Sequence, residues 1–142
     1  MKNNYILAIN DDKDFTDAIV DYLEKEKFSI IMAPNRDIAF KHIEIKKPDL
    51  ILLDIQMRAG TGLEVCRILK AQPSTADIPV IVYSVNSSLI NMMASYLAGA
   101  NRYIGRPFEL NELMECVQNV LRQQDNRNSN TISMNGNIGC RT

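Results

Sequence analysis

Along the first 122 residues of this chain two hydrophobic periods take turns, and few architectures accept that alternation. Short β-type runs occupy 5–9, 28–33, 50–53, 80–83 and 102–104. Between them the apolar residues fall at helical spacing. Phe15, Ala18, Ile19, Tyr22 and Leu23 line one helix face. Ile90, Met93, Ala94, Leu97 and Ala98 repeat that spacing and predict a helix turning this face to the core, a pattern that Met92 continues as a gap filler. Leu110, Leu113, Met114, Val117 and Leu121 repeat it once more, after Glu109, an acid suited to a helix start. Two weaker helical stretches span 35–46 and 62–71, the latter opened by Thr61-Gly62 and closed before Pro73.

Strands alternating with helices predict an α/β protein, a doubly wound (βα)5 three-layer sandwich around a parallel five-stranded sheet. Leu50-Ile51-Leu52-Leu53 is apolar without alternation, as a strand covered on both faces must be. Right-handed crossovers leave few topologies, and the flavodoxin-like order 2-1-3-4-5 is the expected one.

The chain has 142 residues, room for one domain with an adequate core. Its 16 Lys and Arg against 17 Asp and Glu exclude the broadly basic surface of a general nucleic-acid binder, so no direct DNA binding is expected. No apolar run approaches the roughly 20 residues of a membrane span, and Met1-Lys2-Asn3-Asn4 opens no signal peptide. Cys66, Cys116 and Cys140 are an odd set without C-x-x-C spacing, which suggests neither a disulfide framework nor a zinc site. A cytoplasmic protein with reduced thiols is expected. Residues 1–122 read as the folded unit. Residues 123–142, with five Asn and little that is apolar, read as a disordered tail. A hairpin of Ile132-x-Met134 and Ile138-x-Cys140 around Asn135-Gly136 is the minor alternative there.

Ligand crevices in open α/β sheets lie at the carboxyl ends of the strands. The first strand runs into Asn10-Asp11-Asp12, the third ends at Asp54, the fourth at Ser84, and Arg106-Pro107 follows the fifth. Acid, acid, hydroxyl and cation thus reach one edge. A lone acid after the first strand favours helix capping. Asp54, directly behind four apolar residues, is expected to be partly buried and to need a cation. Oxygen ligands with open water positions suit Mg²⁺, and a nucleophilic carboxylate beside Mg²⁺, a hydroxyl and a cation is equipped to accept a phosphoryl group.

These residues resemble the receiver domain of two-component response regulators, a CheY-like module, over about 5–122. The motifs that carry the resemblance are the acidic cluster after the first strand, Asp-Leu-Ile-Leu-Leu-Asp-Ile-Gln-Met at 49–57, Gly62-Leu63-Glu64-Val65, Ser84, and the stretch from Gly99 to Phe108. The resemblance implies that Asp54 is the phosphoacceptor, served by a phosphohistidine on a histidine kinase or phosphotransfer protein. It implies Mg²⁺ held by Asp11, Asp54 and the backbone carbonyl of Gln56, with Asn10 beside them. Ser84 would be the switch hydroxyl and Tyr103 the switch aromatic, remodelling a target-binding face made by the fourth helix, fifth strand and fifth helix. Such a chain modifies itself and is no turnover enzyme.

Four residues depart from the family pattern. Asn10 replaces the first of two acids and is expected to weaken the metal. Arg106 replaces a Lys, with a larger planar fork. Val85 fills a position usually small, and Arg58 replaces a Pro after Asp54. Together they open a second reading, a receiver-like module that docks on a partner regardless of phosphorylation. Because the sequence stops about twenty residues beyond the last predicted helix, a stand-alone receiver is expected.

Two rival classes are weaker. Asp12-Lys13-Asp14-Phe15-Thr16 loosely matches the Asp-x-Asp-x-Thr motif of haloacid-dehalogenase-type phosphatases, but that motif should begin at the strand end. A flavodoxin-type flavin carrier shares the strand order, but acids after the first strand would repel its phosphate. His42 is expected to be a partly exposed helix residue, and Cys66 and Cys116 packing residues.

Overall fold

The computed structural model describes residues 4–57, 60–84, 88–105 and 108–133. In chain order the elements are β1 (Tyr5–Ile9), α1 (Lys13–Lys25), β2 (Ser29–Ala33), α2 (Arg36–Ile45), β3 (Leu50–Asp54), β4 (Gln56–Met57), β5 (Gly60–Thr61), α3 (Gly62–Ala71), β6 (Val80–Ser84), α4 (Leu89–Leu97), β7 (Arg102–Gly105) and α5 (Leu110–Ser133). Five strands form one parallel sheet in the order β2-β1-β3-β6-β7. With the short β4 and β5 set aside, this is the predicted 2-1-3-4-5 order and the α/β fold class expected from the sequence.

The sheet separates two cores by strand parity. Leu7, Ile9, Ile51, Leu53, Val80 and Val82 face Ala39 of α2 and Val65, Cys66 and Leu69 of α3. Ile6, Ala8, Leu50, Leu52, Ile81 and Tyr83 face Ile19 and Leu23 of α1 and Leu113, Val117 and Leu121 of α5. Each fully buried Leu or Ile stabilises the fold by about 1.5–3 kcal/mol, so the central strands anchor both layers. Local polar groups set the helix starts. Asp12, Asn35 and Ser88 accept from the backbone N–H groups of Phe15, Ile38 and Asn91, and the Glu112 carboxylate accepts from Glu109 N–H at 2.7 Å. Beyond α4, Gly99 takes φ +104°, a conformation that a side chain would strain.

Three expectations need correction. The α4 face of Ile90, Met93 and Leu97, predicted to be buried, is solvent-exposed, and Met92 is only half-buried. α4 is apolar on more than one side, so periodicity does not choose the packed side. Small Ser95 and Ala98 take the buried positions, and Ser95 Oγ returns its proton to the Asn91 carbonyl at 2.7 Å. α5 does not stop at Arg122 but continues to Ser133, so the predicted boundary of the folded unit at 122 falls inside a helix. The continuation is tied to the body: Gln123 accepts from Arg102 at 3.0 Å, and Gln124 donates to the Asp77 carbonyl at 3.1 Å. Ile132, one arm of the alternative hairpin, is helical, and the rest of that hairpin, with Cys140, lies outside the described residues. Finally, β4 and β5 form a small antiparallel pair directly after β3 that the sequence reading lacked.

Candidate functional site

Register brings the polar strand ends together. Ile9 pairs with Leu53, so Asn10-Asp11 and Asp54 leave neighbouring strands at the same edge. Asp54 in turn pairs with Tyr83, and Ser84 with Gly105. Asp11, Asp54, Gln56 and Ser84 therefore share the carboxyl edge, as the sequence predicted. Arg106 and Pro107 lie outside the described residues, as do Arg58 and Val85.

Asp54 is only 5% exposed, and Ser84 fully buried. One Asp54 oxygen, Oδ1, accepts the Gln56 N–H at 2.9 Å, which bends the chain away from β3. The β4–β5 pair then folds it back, so that Gly62 N–H reaches the Ile55 carbonyl at 3.2 Å. Gly62 is required by this close approach, because a Cβ there would collide with the Asp54 carbonyl and lie 2.9 Å from Ile55 Cα. Gln56 turns its side chain across the edge, where Ser84 Oγ donates to its Oε1 at 3.4 Å.

At the end of β1 both halves of the Asn10 amide are engaged. Nδ2 donates to the Tyr83 hydroxyl, and Oδ1 accepts the Asp12 N–H at 2.6 Å. Asp12 Oδ1 accepts the Phe15 N–H at 3.2 Å and so caps α1. Helix capping, expected for an acid after the first strand, is thus performed by Asp12. This removes the basis of the phosphatase motif, since Asp12 opens a helix rather than ending a strand and Asp14 lies in the first helical turn. Asp11 is half-exposed.

Two further groups complete the surroundings. The Phe15 ring stands 5.2 Å from the Tyr83 ring and 5.9 Å from Phe108. Tyr103 on β7 packs against the α2–α3 core, and its buried hydroxyl has no partner among the described residues. Its N–H donates to the Tyr96 hydroxyl of α4 at 3.2 Å. Leu89, Ile90, Met93, Tyr96 and Leu97 form an exposed apolar face on α4.

Sequence reading missed Tyr83, Phe15 and the Gln56 side chain. For Tyr83 there was a signal: a phenol within an apolar central strand must find a polar partner. Half-buried His42 lies on α2, and Cys66 is fully buried on α3, where burial pushes its thiol pKa up. A cavity of about 480 Å³ lined by Phe40, Ile43, Lys47, Ile68 and Thr75 opens near the end of α2, at the opposite edge of the sheet. Among the described residues no group of three or more His, Cys, Asp or Glu could hold a metal. The donors present, two carboxylates and the Gln56 carbonyl, are all oxygen, and they fit a hard divalent cation that keeps several waters. No described helix is long and apolar enough to cross a membrane.

Comparison with known proteins gives consistent neighbours. A family model described as the response regulator receiver domain matches residues 6–118. The heme response regulator HssR of Staphylococcus saprophyticus is 31% identical over 132 residues, 93% of this chain and 57% of that relative. HssR of Staphylococcus aureus is 30% identical over the same shares. The chain thus spans a little over half the length of the curated relatives it matches. Among solved structures, a CheY-like receiver domain protein from Methanospirillum hungatei superposes with TM-score 0.80 at 27% identity, covering 89% of this chain and 99% of that one. The BeF3-activated N-terminal receiver domain of Klebsiella pneumoniae RstA gives 0.77 at 30%, covering 84% and 99%.

Proposed function

The chain belongs to the response regulator receiver domain family of two-component signalling, and on that premise we propose that it accepts a phosphoryl group on Asp54 from a phosphohistidine of a histidine kinase or phosphotransfer protein. The carrying observation is the placement of Asp54: a nearly buried carboxylate at the tip of the central strand, in register beside Tyr83-Ser84.

In the transfer, an Asp54 carboxylate oxygen attacks phosphorus as the phosphorus–nitrogen bond to the donor histidine breaks. The bonding electrons stay on the imidazole nitrogen, and the product is an aspartyl phosphate. Gln56 N–H, donating to Oδ1, fixes the carboxylate and leaves Oδ2 as the attacking atom. Ser84 would turn its hydroxyl from Gln56 to a phosphoryl oxygen, and Arg106 would supply a cation. Receivers bind Mg²⁺ at this site, and here Asp11, Asp54 and the Gln56 carbonyl would hold it. When bound, the ion spreads the negative charge of the transferring group. With Asn10 in place of an acid, that binding is weakened.

The output is a change at the face built from α4, β7 and α5. Tyr103 and Ser84 are its switch residues, and the exposed apolar side of α4 is the surface that meets a protein target. That surface is already bare in the unmodified chain. This favours, as a second reading, docking that does not await phosphorylation.

Incubation with Mg²⁺ and a small phosphodonor, followed by intact mass, tests the main reading. Wild type should gain one phosphoryl mass and Asp54→Asn none. Absence of gain in wild type, with target binding retained, would overturn it in favour of the second.

A further inference from the structure

Four side chains close a ring of contacts around Asp11. The Asn10 amide donates to the Tyr83 hydroxyl, and Asp12 N–H donates back to Asn10. Asp12 caps Phe15, and the Phe15 ring stands against Tyr83. Asn10 and Tyr83 are each 1% exposed, so a buried amide and a buried phenol satisfy one another where either alone would cost desolvation. An amide is suited to this place because it accepts from the Asp12 backbone and donates to the phenol oxygen at once.

We propose that Tyr83 is a positioning residue for the phosphoacceptor site: by holding the Asn10 amide it fixes the Asn10–Asp12 turn that presents Asp11 at the carboxyl edge. Asn10 then acts through the backbone turn rather than as a donor to the cation. Tyr83 itself touches neither Mg²⁺ nor the phosphoryl group. Its strand pairs with β3 at Asp54, so one residue links the two strand ends that carry the acids. The inference deepens the phosphoacceptor reading and rests on it for the metal.

The test compares wild type, Tyr83→Phe, Asn10→Ala and the double variant at 25 °C, after melting curves establish that each is folded there. Mg²⁺ titration by calorimetry should show the dissociation constant raised roughly 10-fold in each single variant, the size typical of a group that orients a metal ligand. The double variant should be no weaker than either, because both changes break one contact. Amide exchange at Asp12, which needs no metal, should be faster in Tyr83→Phe. Asn10→Asp, able to accept from both Asp12 N–H and the Tyr83 hydroxyl, should keep the exchange slow. A merely structural Tyr83 would lower the melting temperature and leave the Mg²⁺ affinity of the folded chain within twofold of wild type, which would overturn the proposal. If wild type takes up no Mg²⁺, the metal reading fails by itself. The turn is then judged on exchange alone, faster at Asp12 supporting it and unchanged overturning it.

Discussion

The Ser84 hydroxyl donates to the side-chain carbonyl of Gln56 at 3.4 Å, across the edge of the sheet from Asp54. In the unmodified chain, then, the hydroxyl assigned to the phosphoryl group already has another acceptor.

Removing that competitor should favour the phosphorylated form. A long, neutral hydrogen bond contributes about 0.5–1 kcal/mol, so Gln56→Ala should bind beryllofluoride about 2- to 5-fold more tightly than wild type. Titration followed by NMR checks this. Equal affinity means that the Gln56 contact has no hold on Ser84.

Gly62→Ala should be among the most damaging small changes. The new methyl meets backbone at Asp54 and Ile55, which cannot swing aside as a side chain can. A loss of about 2–3 kcal/mol is expected by urea unfolding, with disturbance of the Asp54 region. A methyl tolerated at less than about 0.5 kcal/mol would show that α3 withdraws easily from β3.

Tyr96→Phe removes the acceptor for Tyr103 N–H on β7, the edge strand of the sheet. Stability should fall by about 1 kcal/mol or less, and the Tyr103 amide should exchange faster. Phosphorylation chemistry at Asp54 should be unaffected, which separates tethering of the α4–β7 face from the site itself.

Acid should erase a small surface contribution from Lys47. Its ammonium lies 2.8 Å from Asp77 and holds that carboxyl below its ordinary pKa. A depressed carboxylate pKa stabilises the fold above the unfolded value near 3.9, and the contribution vanishes as pH falls through the lower folded value. Both groups are about half exposed or more, so Lys47→Ala should cost less than about 1 kcal/mol at pH 7. The difference from wild type should close in acid below the unfolded Asp pKa. Urea melts at several pH values measure it.

Much of this molecule was legible before any coordinates. The strands carry apolar runs with polar residues at one end, so their identity, order and shared carboxyl edge follow from patterning and crossover handedness. What patterning does not encode is a choice between equivalent apolar sides, and α4 fell to that: Ile90 and Leu97 have the spacing of a core face but point to water, while Ser95 and Ala98 allow close packing. The end of α5 escaped because Gln123 and Gln124 are polar yet bond to Arg102 and to the Asp77 carbonyl, residues distant in sequence. Asn10 was read by its family position as a poor acid. Its actual engagement depends on Tyr83, whose nearness to β1 is a product of the fold.

β3 contributes Leu50 and Leu52 to one layer and Ile51 and Leu53 to the other. A slip of one residue would exchange the contents of both layers at once, so the seat of Asp54 is bolted from two directions. Variation among chains of this design is thereby steered outward: the spine resists editing, while the rim, where partners are met, stays open to revision.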